Sequence, residues 1–127
     1  MRLKALLLAG LFSFSSLYAK DWKIPYIFEE PRRTTFRTID WNKDKLDNTS
    51  LEHFLLSGVA SSSLNWYFDS KKIKYPVVKS IGITLGIGLL KEFEDGYREG
   101  FSYKDMSFNI LGTTLGILIY NYLKGDD

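Results

Sequence analysis

Residues 77–90 and 106–123 are apolar nearly all round, and no other feature constrains the fold as tightly. Val77, Val78, Ile81, Ile83, Leu85, Ile87, Leu89 and Leu90 fill the first stretch around a single charge, Lys79. Helices without a polar face are central to a large protein or lie in a membrane. At 127 residues there is room for one domain, so the chain has little of its own with which to cover them. Each stretch also carries a small-xxx-small pair, Gly82/Gly86 and Gly112/Gly116. That spacing lets helices approach closely where lipid supplies no hydrophobic drive. An interior glycine costs about 0.5–1 kcal/mol relative to alanine, so these four predict close helix packing.

Local signals set the helix ends. Thr49 and Glu52 make a capping box, predicting a first helix from Thr49 to about Phe68, broken by Asp69, Ser70, Lys71 and Lys72. Pro76 suits a first helical turn and Gly96 a stop. The Ile, Val and Thr content leaves a buried strand open over 77–87, but length favours a helix. Ser102 and Asp105 form a second capping box, and the third helix ends before Gly125. The fold class is all-α: a compact bundle of three main apolar helices over 49–124, with short loops and mostly antiparallel neighbours.

Two segments precede the bundle. Residues 1–19 read as a signal peptide: Arg2 and Lys4 are its positive start, 5–14 its apolar run, and Ala19 its last residue before cleavage. Residues 20–48 are an irregular lead with Pro25, Pro31 and the aromatics Trp22, Tyr26, Phe28, Phe36 and Trp41, predicted to pack on the bundle. Without 1–19 the chain has fifteen basic and fifteen acidic residues, which argues against a nucleic-acid partner. The absence of cysteine excludes disulfides, thiolate metal sites, thiol catalysis and lipid attachment through cysteine. No cofactor is called for. The run 77–90 falls short of the ~20 residues a membrane helix needs. The expectation is therefore membrane association, by partial insertion or within an oligomer, with a second copy or another envelope protein as further partners.

The polar residues that remain fall into stripes. Asp105, Asn109, Gly112 and Gly116 follow i, i+4, i+7, i+11 and share one face of the third helix. Glu92 lies under Gly88 on the second helix with Asp95 one turn on, and His53 and Ser57 pair at i, i+4 on the first. With the glycines inward, the acids and the histidine gather where the second helix ends and the other two begin.

These residues carry a resemblance. His53-Phe54 with Ser57, Gly86-x-Gly88 with Lys91-Glu92 and Asp95-Gly96, and Gly100-Phe101-Ser102 with Asp105, Asn109 and Gly112 resemble the YfiM-type family of predicted periplasmic lipoproteins of unknown function. The order of acid, Asn and Gly positions is more distantly similar to VanZ-like membrane proteins. The resemblance covers roughly 44–120 and implies a helical envelope domain, without an established reaction. The family's lipid-bearing cysteine has no counterpart here, and its Asp-Lys pair is represented only by Asp44-Lys45, several residues early.

Two roles compete for the cluster. As a site, His53, Glu92, Asp95 and Asp105 offer acid–base chemistry, or Glu92, Asp95, Asp105 and Asn109 offer oxygens to a hard cation. As scaffold, Asp105 caps a helix, Asn109 bonds a neighbouring helix, and Lys91–Asp95 is a surface pair. Glu92, a carboxylate at a helix C-terminus, opposes the dipole and demands compensation. With one histidine and no metal-ligand spacing, no metal is predicted. Gly82, Gly86 and Gly88 lack the Lys-Ser/Thr of a phosphate loop, and Ser61, Ser62 and Ser63 lack a nearby base. The sequence thus favours a structural or interaction component of the envelope. An enzyme or small-ligand binder built on the same cluster is the alternative.

Overall fold

Three helices make up the regular structure of the computed structural model, which describes residues 32–46 and 48–125: α1 Asn48–Ser70, α2 Pro76–Gly96 and α3 Tyr103–Lys124. Among the described residues there is no strand, only an isolated parallel bridge between Thr38 and Phe101. The signal peptide at 1–19 and the aromatics Trp22, Tyr26 and Phe28 lie outside the described residues.

The helix ends follow the local signals. α1 starts at Asn48, next to the expected Thr49. Ser102 does cap α3, its Oγ accepting the Asp105 N–H at 3.0 Å. The return half of that box comes from elsewhere: the Ser102 N–H donates to Glu92 Oε2 at 3.0 Å. Glu92 therefore ties the end of α2 to the start of α3 and frees the Asp105 carboxylate for other partners. The strand alternative for 77–87 is resolved by α2, which is helical throughout that span.

α1 packs most extensively on α3. Contacts from Ser50 to Asp105, His53 to Asn109 and Asp69 to Tyr120 make these two helices parallel, with only the loop-connected pairs antiparallel. Glycine makes their approach possible. A Cβ on Gly112 would meet Phe54 O at 2.1 Å, and one on Gly116 would meet Gly58 O at 2.2 Å. The expectation for the other pair is corrected: a Cβ on Gly82 or Gly86 would meet nothing within 4 Å, so no helix contact runs through them.

The bundle axis is polar. Ser50, Ser57, Ser61, Ser62, Asn65, Ser80, Thr84, Asn109 and Thr113 are buried, and the buried apolar residues among the described residues are only Phe101, Ile117 and Tyr120. Hydroxyls tolerate this by bonding their own helix: Ser57 to His53 O at 2.6 Å, Ser80 to Pro76 O at 2.7 Å. Ser61 also reaches across to Thr113 O at 3.0 Å. Many large side chains point outward on every helix, among them Leu56, Ile83, Ile87, Leu90 (71% exposed), Leu111, Leu115 and Leu118. The helices are thus apolar outward and small or polar inward, not apolar all round. Gly, Ser and Thr hide that stripe in the sequence because they barely interrupt a hydrophobic run. No helix among the described residues is long and apolar enough to cross a membrane.

The described part of the lead closes one end. Phe36 packs against Phe93, Tyr97 and Phe101, with ring centroids 5.4–6.0 Å apart. It occupies the space beside Gly96, where a Cβ would fall 2.1 Å from its ring. Phe101 N–H donates to Arg37 O and Ile39 N–H to Phe101 O, at 2.8 and 2.9 Å. These bonds fix the segment that delivers Ser102.

Candidate functional site

Three helix ends meet beneath that lead, and each brings one ionisable side chain. His53 comes from the second turn of α1, Glu92 from the last turns of α2, and Asp105 from the first turn of α3. His53 Nε2 lies 3.5 Å from Glu92 Oε1 and 3.7 Å from Asp105 Oδ2. One ligand atom from each of the three residues lies within 4.8 Å of the others.

The second polar atom of each residue is held separately. His53 Nδ1 is 3.3 Å from Asn109 Oδ1. Glu92 Oε2 accepts the Ser102 N–H. Asp105 Oδ1 accepts the Ser50 hydroxyl at 2.7 Å. Ser102 Oγ in turn donates to Asp44 Oδ2 at 2.6 Å, so the early Asp44 does reach the edge of the cluster. Glu92 Oε1 is the exception. Glu92 is 1% exposed, and this oxygen has no hydrogen-bond partner, although the imidazole is within ion-pair distance.

Burial sets the electrostatics. It pushes the Glu92 carboxyl up to about 7, against the Ser102 amide and Lys91, which favour the charged form. Burial, seconded by Lys91, also holds the His53 imidazole below its usual value, while Asp105 and Asn109 pull the other way. Glu92 therefore titrates near neutrality, the range suited to proton exchange. With the proton on Nδ1 donated to Asn109, the Nε2 lone pair faces two carboxylate oxygens, an arrangement that needs a proton or a cation between them.

Of the residues singled out in the sequence, the structure brings together His53, Glu92, Asp105 and Asn109. Asp95 is not among them; its carboxylate is bound to Lys91. Ser57 sits one turn below His53 against Gly112, and a Cβ on Gly88 would meet Asn109 Nδ2 at 2.8 Å. Ser50 and the Ser102 amide were missed. Ser50 had a signal, because Ser50, His53, Ser57, Ser61 and Asn65 recur at helical spacing. The Ser102–Glu92 bond had none, since it joins residues ten apart across a loop.

Residues 36–121 match the family described as "Predicted periplasmic lipoprotein (DUF2279)". The chain belongs to that family, and the match takes in α1, α2, all but the last three residues of α3, and the whole cluster. A periplasmic, envelope location fits that description. No curated protein and no solved structure matches the chain.

Proposed function

We propose that this protein is a membrane-associated component of the cell envelope whose bundle rests its apolar exterior against lipid and is held together from inside by polar contacts. The carrying observation is the inverted distribution of side chains: among the described residues Glu92, Asn65, Thr113, Ser50, Ser61 and Ser80 are the largest fully buried ones, while many Leu and Ile side chains are exposed. In water the reverse is expected, and exposed apolar surface on three helices marks a lipid or protein partner.

The far end of the bundle supports lipid over protein. Trp66, Tyr67, Tyr75 and Tyr122 are exposed there beside Lys71, Lys72, Lys74 and Lys79. Aromatic rings favour the headgroup level, and clustered lysines favour anionic headgroups. The likeness to VanZ-like membrane proteins and to the YfiM-type family belongs to the same reading.

Fractionation of cells expressing a C-terminally tagged full chain, followed by alkaline carbonate washing, tests this. Retention in the washed membranes is the expected result; release into the soluble fraction as a monomer or oligomer overturns it. A second reading, a ligand or acid–base site, is favoured by the unpartnered Glu92 Oε1. Glu92→Gln separates the two. A folded variant that still associates with membranes but loses an activity points to a site, and a folded variant that loses nothing points to a scaffold.

A further inference from the structure

A buried carboxylate oxygen with no donor is costly, and more so when charged. Glu92 Oε1 is such an atom, and it is aimed at the point where His53 Nε2 and Asp105 Oδ2 also converge. Spacings of 3.5 and 3.7 Å from the imidazole nitrogen approach the ~3.3 Å ligand–ligand separation implied by a tetrahedral ion with bonds of ~2.0–2.1 Å. All three residues lie within the reach of one ion.

The surroundings are those of ligands already oriented. Asn109 accepts at Nδ1 and so presents the Nε2 lone pair inward, the Ser102 amide holds Glu92 by Oε2, and Ser50 holds Asp105 by Oδ1. Outer contacts of this kind fix metal ligands and raise affinity. Two carboxylates also balance a divalent charge, and the Lys91 ammonium is engaged by Asp95.

We propose that His53 Nε2, Glu92 Oε1 and Asp105 Oδ2 bind one divalent transition-metal ion of the zinc class, with a fourth position open to water or a ligand oxygen. Calcium takes six to eight oxygens and magnesium an octahedral, largely hydrated shell. An imidazole with two closely spaced carboxylates suits zinc better. This inference is independent of lipid contact.

The test is titration of the full chain, purified in detergent and stripped with EDTA, with Zn²⁺ against a chromophoric chelator. X-ray absorption then reads the bound ion. The expected result is one zinc per chain with nitrogen and oxygen ligands at about 2.0–2.1 Å and imidazole scattering. Glu92→Gln and Asp105→Asn each weaken binding by about 100-fold or more, and Ser50→Ala by about 10–100-fold. Asp69→Asn, at the opposite end, leaves affinity unchanged. Circular dichroism checks the fold of each variant, and the wild-type stoichiometry and spectrum decide if a ligand variant does not fold. Absence of stoichiometric zinc, bound zinc without imidazole scattering, or undiminished binding by folded Glu92→Gln overturns the proposal.

Discussion

The two ends of the α1–α3 pair use similar groups to opposite effect. At the far end Asp69 accepts from the Tyr120 hydroxyl at 2.8 Å and pairs with Lys124 at 2.7 Å. Those bonds hold its carboxyl below the usual range, and burial with the Asp69 contact pushes Tyr120 up to about 12. At the near end Glu92 is more deeply buried and keeps one oxygen without a donor. One end is a closed ion pair that fastens two helices. The other has spare coordination, which a scaffold does not need.

The largest effect is expected where both ends depend on the same contact. Gly112→Ala places a methyl 2.1 Å from the Phe54 carbonyl, backbone that cannot step aside. The loss should reach about 3 kcal/mol or more. Thermal denaturation measures it, and a near-neutral result would show that the parallel α1–α3 contact is not as close as described.

Next comes the near end itself. In metal-free protein Glu92 has a carboxyl pKa raised to about 7 from 4.5. The native state binds the extra proton between those values, so the Glu92 contribution is fully present below pH 4.5 and is lost as pH rises through about 7. His53, whose value is lowered, contributes stability above its ordinary 6.5 that is lost as pH falls below it, and so opposes part of that slope. Glu92→Gln should remove the Glu92 component and stabilise metal-free protein at pH 8 by on the order of 1–3 kcal/mol. Denaturant midpoints of variant and wild type across pH 4–8 check it. Parallel curves would mean that Glu92 is satisfied after all.

The far end should behave in the opposite sense. Asp69→Asn should destabilise by about 1 kcal/mol or less, because the pair is partly open to solvent. Its contribution is present above pH 3.8 and lost as pH falls through the lowered native value. The smallest effect is expected at Gly86→Ala. Nothing lies within 4 Å of the added methyl, so helix propensity should stabilise by about 0.5–1 kcal/mol. Destabilisation there would restore the glycine contact expected at Gly82 and Gly86.

Helix positions were legible because Pro76, Ser102, Gly96 and Gly125 act at helix ends through neighbours in sequence. The gathering of His53, Glu92 and Asp105 was legible too, since each sits on a polar stripe near a helix end. The polar axis was not. Ser61, Ser80, Thr84 and Thr113 look like minor interruptions of apolar runs, and only packing shows that they face in while Ile87 and Leu115 face out. The exclusion of Asp95 was legible as the Lys91–Asp95 pair at i, i+4, whereas the substitution of Glu92 for Asp105 in the α3 cap was not, because it depends on a loop that the lead holds in place.

The most direct test concerns what the outward faces meet. Because the chain contains no cysteine, single cysteines at Ile87, Leu115 and Leu118 can each carry a spin label on the full chain in lipid vesicles. Collision rates with oxygen, which concentrates in lipid, and with a water-soluble nickel chelate are then compared. Lipid contact predicts high oxygen and low nickel accessibility at all three positions. High nickel accessibility at these positions would contradict it.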